Sequence, residues 1–398
     1  MTFVVVGAGL AGGKAVETLR DQGYDGRIVL IGSEESPPYE RPPLSKGLLL
    51  GTAERDSVFV HTPQWYADHD VDLRTGTTVT GLSPEKRLVA AGGEEIVYDR
   101  LLLTTGASPR RLSVPGGERA LLLRTLGDSE AIARAATDGS RIVVIGAGWI
   151  GLEVAAAARS HGAAVTVVET ASLPLQRVLG DTIATIFADL HREHGVEFHF
   201  GAKISEITAT HVLLADGTAL PFDAVIAGVG VTPNVDLAAQ AGLAVDNGVL
   251  VDRQLRTSDP AIFAAGDVAN VDHPLLKTRI RVEHWANALH SGPAAARAML
   301  DQDVSYDRLP YFCTDQYDLG MEYTGWVPPG IDAEVVVRGD LASRSFIAFW
   351  LVEGKVAAGM NVNIWDVNDA IADLVRAGAV IDRGRLADPG LALEELLP

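Results

Sequence analysis

Three glycines, Gly7, Gly9 and Gly12, follow an apolar run at residues 4–6, and the same spacing returns 139 positions later as Gly146, Gly148 and Gly151 after residues 142–145. The first glycine of such a triplet permits a tight turn, and the second lets a pyrophosphate approach the backbone. The third lets the following helix pack on the strand. That helix then turns its N-terminal N–H groups and the positive end of its dipole toward the phosphates. Each triplet stands in the order strand, GxGxxG, helix: "FVVVGAGLAGGKAVETL" begins at residue 3 and "RIVVIGAGWIGLEVAA" spans residues 141–156.

A second strand ending in acid follows each loop. "VTVVE" ends at Glu169, 23 residues past Gly146, where a carboxylate can accept from ribose hydroxyls. "RIVLIGSEE" is less tidy: Ser33 stands at the strand end with Glu34 and Glu35 behind it, and Glu34 is the favoured ribose acid. Two such loops in one chain imply a relay, with an FAD that stays bound and an NADH that comes and goes. Glu169 also selects between nucleotides. Its charge repels a 2′-phosphate and no Arg follows directly in "VVETASLP", so NADH is expected over NADPH.

Composition narrows the field. A length of 398 residues with 47% hydrophobic content suits two or three packed domains. No apolar run reaches membrane-spanning length and no signal-peptide pattern is present, so a soluble, cytoplasmic protein is expected. The one cysteine, Cys313, cannot form an internal disulfide, a CxxC pair or a cysteine-based metal cluster, and no metal is expected. Net charge is 33 − 52 = −19 with no basic stretch, which disfavours nucleic-acid and membrane binding.

The segment "PYERPPLSK" at 38–46, beside the first glycine loop, resembles the FAD segment of the oxygenase-coupled NADH-dependent ferredoxin reductases, within the glutathione-reductase-like flavoproteins. "LLLTTGASPR" (101–110), "LRTLGD" (123–128), "AGVGVTPN" (227–234), "IFAAGDVA" (262–269) and "YFCTDQYDLGMEYTGW" (311–326) agree in order and spacing, so the resemblance covers essentially the whole chain. It implies an α/β fold with two Rossmann-like dinucleotide-binding domains and a C-terminal α+β domain. Residues 1–109 and 231–310 would bind FAD, 110–230 would bind NADH, and 311–398 would form the third domain. In that last region "AEVVVRGD", "SFIAFWLV" and "KVAAGMNV" read as short antiparallel strands. Ile364, Val367, Ile371, Leu374 and Val375 fall on one helical face.

The resemblance also implies roles residue by residue. Lys46 would reach the flavin near its reducible edge, where a cation stabilises the anionic reduced ring. Arg41 and Arg124 would touch FAD, Asp267 would accept from its ribityl chain, Ala11 and Val79 would contribute backbone contacts, and Trp285 would border the flavin. Glu153, just after Gly151, would point toward the nicotinamide carboxamide, and Ile150 and Gly230 join the NADH set. This chain departs from the family at Cys313, where relatives carry an aromatic residue beside the flavin.

Exclusion bears on where the electrons go. Disulfide reductases of this superfamily pass electrons to a cysteine pair near the flavin, but the corresponding loop here, "RPPLSKGLL", has no thiol. Electrons must leave toward an external acceptor, by resemblance a [2Fe–2S] ferredoxin serving a P450 or a ring-hydroxylating oxygenase, from a monomer or homodimer. A rubredoxin as acceptor, or a redox-sensitive binding protein like apoptosis-inducing factor, are the alternatives. Lys277, Arg279 and Arg281 form the densest basic group and are a candidate docking patch for an acidic partner.

Overall fold

A computed structural model describes residues 1–397. The chain packs as two compact units. The first is made of Met1–Arg41, Asp56–Ser108 and Thr232–Pro310. The second is made of Pro42–Arg55, Pro109–Val231 and the chain from Tyr311 onward. Residues 42–55 lie inside the first segment of the expected plan, yet they pack with the second unit.

The first unit is built on a five-stranded parallel sheet in the order Ile262–Ala264, Arg100–Leu103, Thr2–Val6, Arg27–Ile31, Val71–Arg74. Apart from the edge strand Val71–Arg74, its strands are largely apolar runs because both faces of a parallel sheet are covered. Val4, Val5, Ile28, Leu30, Leu101 and Ile262 are wholly buried. Helix Leu10–Asp21 packs closely on helix Trp285–Met299. Gly292 permits that approach, since a Cβ there would stand 2.2 Å from the carbonyl of Ala11. The unit also holds a three-stranded antiparallel sheet, Val79–Ser83, Leu88–Ala91 and Glu94–Val97.

The second unit repeats the pattern with a four-stranded parallel sheet, Glu197–His199, Ala164–Val168, Arg141–Ile145, Ala224–Ala227. Helices Trp149–Ser160 and Gln176–Glu193 accompany it, the latter broken at Gly180. The C-terminal strands form a five-stranded antiparallel sheet in the order Tyr311–Gln316, Leu319–Gly325, Lys355–Val362, Ser345–Val352, Glu334–Asp340. The three segments expected as strands all lie in it. One face of this sheet does not stand apart: Leu319, Met321, Tyr323 and Phe346 share a hydrophobic cluster with Ile142, Val144 and Phe187. The other face buries Phe349 against Ile371 and Leu374 of helix Asn368–Ala377. Ile364 and Val367 precede that helix and pack on the same cluster.

Both glycine loops have the same internal geometry. Gly7 and Gly146 take φ of +117° and +98°, where side chains are strained. A Cβ on Gly12 would sit 2.1 Å from the carbonyl oxygen of Gly7, and one on Gly151 would sit 2.0 Å from that of Gly146. Gly9 and Gly148 are extended, and a Cβ on either would meet no atom within 4 Å. These positions therefore answer to different constraints. Gly151→Ala should lower the melting temperature by several degrees, from overpacking of about 1–3 kcal/mol, whereas Gly148→Ala should melt like the parent. Equal melting temperatures for all three proteins, measured by scanning calorimetry, would overturn this reading.

Candidate functional site

In the first unit, the start of helix Leu10–Asp21 has no side-chain cap and no acid in its first turn. Its leading N–H groups are left for an outside acceptor, as an N-terminal anion site requires. Ala11 is buried against Gly266 and Gly292. Ser33 is exposed after the strand, and Glu34 is held in place: it accepts from Tyr39 Oη at 2.5 Å and from Arg41 at 2.9 Å. Val79 opens its strand opposite Ala91. Asp267 lies on a short helical turn, Gly266–Val268, and its carbonyl accepts from Arg281 at 3.2 Å.

Trp285 begins its helix with its indole N–H buried and unpartnered in the protein. Buried donors are seldom left so, and one here fits an acceptor supplied by a ligand. The neighbouring His284 is pushed down to about 4 by burial and is neutral at physiological pH.

The basic group at 277–281 is partly engaged by the protein itself. Arg279 donates to the carbonyls of Val251 and Asn270, both at 3.1 Å. Arg281 pairs with Glu283 at 2.5 Å and its side chain is 8% exposed. Lys277 lies in a turn at φ +55°, and both it and Arg279 are exposed.

In the second unit, helix Trp149–Ser160 likewise starts with no side-chain cap and no first-turn acid. Ile150 is exposed at that start. Glu169 is turned back onto the glycine loop, accepting from the backbone N–H groups of Ala147 and Ala171, both at 2.8 Å, and from Thr170 Oγ1 at 3.0 Å. The loop at Gly230 runs at φ +94°, its carbonyl accepting from Arg110 N–H at 2.9 Å. Arg124 precedes a capping box in which Thr125 and Asp128 satisfy each other's backbone N–H, and Arg124 N–H also donates to Asp128 at 3.0 Å. At both loops, uncapped helix starts and the open space beside Gly9 and Gly148 fit a dinucleotide.

Glu153 lies one turn into its helix and is 4% exposed. A buried carboxylate is costly unless paired and hydrogen-bonded. Here Lys46 Nζ and Thr314 Oγ1 donate to Oε1, and Ser45 Oγ donates to Oε2, each at 2.5 Å. Residues 42–55 are themselves pinned, since Leu44 O accepts from Ser129 Oγ and Leu49 O from His161 Nε2, both at 2.7 Å. Behind Thr314, Gln316 Nε2 donates to its hydroxyl at 3.2 Å, and His191 Nε2 lies 2.8 Å from Gln316 Oε1. Burial pushes His191 down to about 4.

The sequence reading singled out Lys46 and Glu153, and the structure brings them together. It missed Ser45, Thr314, Gln316 and His191. Strand alternation held part of the signal: Thr314 and Gln316 face inward, while Cys313 and Asp315 face out. Although the residue is exposed, the Cys313 thiol is partly shielded, and that shielding pushes its pKa up. The site thus holds a fixed carboxylate and a fixed ammonium side by side, suited to accepting from an amide and to stabilising an anion, with no activated thiol.

No group of three metal-ligating side chains comes together among the described residues, and no helix there is long and apolar enough to cross a membrane. The family model "pyridine nucleotide-disulphide oxidoreductase" matches residues 1–292, and "reductase C-terminal" matches residues 311–397. The ferredoxin–NAD(+) reductase component of the anthranilate 1,2-dioxygenase system of Burkholderia cepacia is 39% identical, over 99% of each chain. Putidaredoxin reductase of Pseudomonas putida is 36% identical, over 99% of this chain and 96% of its own. The crystal structure of a covalent putidaredoxin reductase–putidaredoxin complex superposes with a TM-score of 0.95 at 36% identity, covering 99% of this chain and 97% of that one. The chain belongs to the pyridine nucleotide-disulphide oxidoreductase family, with a reductase C-terminal domain following its two nucleotide-binding folds.

Proposed function

We propose that this protein is an FAD-dependent NADH:ferredoxin oxidoreductase, passing electrons to a [2Fe–2S] ferredoxin that serves a P450 or a ring-hydroxylating dioxygenase. The observation that carries the reading is the duplicated glycine loop, closed in the same way in both units and opening onto an uncapped helix start each time. FAD, when bound, accepts a hydride from NADH and releases electrons singly to a one-electron carrier.

The residues divide accordingly. Gly7, Gly9, Ala11, Gly12, Ser33, Glu34, Arg41, Val79, Arg124, Asp267 and Trp285 would hold FAD. Gly146, Gly148, Ile150, Gly151, Glu169 and Gly230 would hold NADH, so that, Arg124 apart, the two sets fall in 1–109 with 231–310 and in 110–230. Lys46 places a cation for the reduced flavin, and Glu153 orients the carboxamide, an orientation effect that can account for much of a barrier. The raised thiol pKa of Cys313 and the lack of a second cysteine favour an acceptor outside the chain. The relatives named for a dioxygenase system and for putidaredoxin support a ferredoxin partner. A monomer or homodimer working in the cytoplasm suits such a shuttle.

The purified protein should be yellow with releasable FAD, be bleached anaerobically by NADH, and turn over with a [2Fe–2S] ferredoxin in steady-state assays. A colourless protein that takes up no FAD would overturn the assignment.

The nucleotide loop gives a second test. Gly148→Ala, although stable, should raise KM for NADH about tenfold, or 1.4 kcal/mol, because the methyl group occupies the space left for the pyrophosphate. Glu169→Ala should narrow the NADH over NADPH ratio of kcat/KM by a similar factor. It should also weaken NADH binding, because Ala147 N–H loses its acceptor. A wild-type preference for NADPH would contradict the role given to Glu169.

A further inference from the structure

The hydrogen bonds at Glu153 continue inward, and they all run one way. Thr314, Gln316 and His191 are each no more than 1% exposed, so water cannot substitute for a missing partner. Thr314 has one hydroxyl proton, and it is donated to Glu153 Oε1 at 2.5 Å. Its oxygen must then accept from behind, and Gln316 Nε2 supplies that bond at 3.2 Å. The amide is thereby oriented, with Oε1 facing His191 Nε2 at 2.8 Å. An amide oxygen only accepts, so Nε2 of His191 must carry the proton. Nδ1 of the neutral ring is left as an acceptor, and Tyr317 Oη lies 3.5 Å from it. The chain of donors therefore starts on helix Gln176–Glu193, crosses strand Tyr311–Gln316 and ends on the Glu153 carboxylate.

We propose that Thr314, Gln316 and His191 form a one-directional positioning relay that fixes Glu153 as a three-donor acceptor, and that His191, in the Nε2–H form, sets its polarity. The inference rests on the role given above to Glu153 in orienting the nicotinamide. None of the three need touch a cofactor; they act through Glu153. Without Thr314 the carboxylate keeps only Ser45 and Lys46, and it can rotate about its terminal torsion. A reversed amide at Gln316 would present its oxygen to Thr314. The hydroxyl would then donate to Gln316 and turn away from Glu153.

Two kinds of measurement test this. The first needs no turnover: in wild-type holoprotein labelled with ¹⁵N-histidine, the His191 resonances, assigned by their loss in His191→Gln, should show the neutral Nε2–H tautomer at pH 7. A neutral Nδ1–H tautomer or a protonated ring would overturn the relay whatever the enzyme's activity.

The second is anaerobic stopped-flow reduction of the bound flavin by NADH. Thr314→Val removes the donor while keeping the shape, and should slow the reduction rate at saturating NADH about tenfold, the scale of one charge-assisted hydrogen bond. Thr314→Ser should stay within twofold of wild type. Gln316→Glu puts an acceptor behind Thr314 and should mimic Thr314→Val at unchanged FAD content. Wild-type reduction in Thr314→Val or in Gln316→Glu would overturn the relay, as would a defect in Thr314→Ser equal to that of Thr314→Val. Wild-type protein that binds FAD but is not reduced by NADH would instead overturn the proposed function, leaving the tautomer to decide the relay by itself.

Discussion

Burying the carboxylate of Glu153 is the constraint on which the second unit is arranged. Removing one ion from water costs several kcal/mol even after relaxation, and that cost is recovered only with good geometry and satisfied lone pairs. The partners come from two segments far apart in sequence, Ser45 and Lys46 from residues 42–55 and Thr314 from the C-terminal sheet, and meet Glu153 on its helix. The requirement is met with residues 42–55 grouped in the second unit. Leu49, wholly buried, adds an apolar anchor in the cluster that holds Leu152 and Val154, and Ser129 and His161 hold the backbone of the segment. Polar convergence and hydrophobic burial thus fix the same fourteen residues.

The two nucleotide folds share their loops and differ at the acid after the second strand. Glu34 is paired with a guanidinium, so its charge is balanced within the protein. Glu169 takes its hydrogen bonds from uncharged N–H and O–H groups, two of them backbone. A carboxylate braced in this way both shapes the loop and repels a second anion nearby. One fold used twice can therefore present two different electrostatic faces to two dinucleotides through a single change in what the acid pairs with.

Much of this was legible in the sequence, because local rules govern it. The glycine triplets, the buried parallel strands and the terminal acids are all set within about 25 residues of chain, and they fold as their spacing dictates. The roles of Ser45, Thr314, Gln316 and His191 were not legible, because their partners lie 108, 161 and 125 positions away; the period along the strand marks Thr314 and Gln316 as inward-facing but not what they meet. The partners of Arg279 and Arg281 were not legible either. Alternation along a strand suggests one solvated face, but Arg279 and Arg281 reach sideways to carbonyls and a carboxylate, which their long planar heads can satisfy. Likewise, strand texture identified the C-terminal sheet but not the neighbour that would cover it.

That cover ties the C-terminal domain to the second nucleotide fold. A sheet whose only task was to shield a flavin or meet a partner could sit on the nucleotide fold through a polar contact surface. Here Met321, Tyr323, Phe346 and Met360 instead join the core formed by Ile142, Val144 and Phe187, and the edge strand sends Thr314 to a buried charge. The domain and the second nucleotide fold therefore share both an apolar core and a hydrogen-bond network. Separating them would expose the first and leave the carboxylate of the second one donor short. Residues 311–325 are as much a part of the Glu153 site as the helix that carries Glu153.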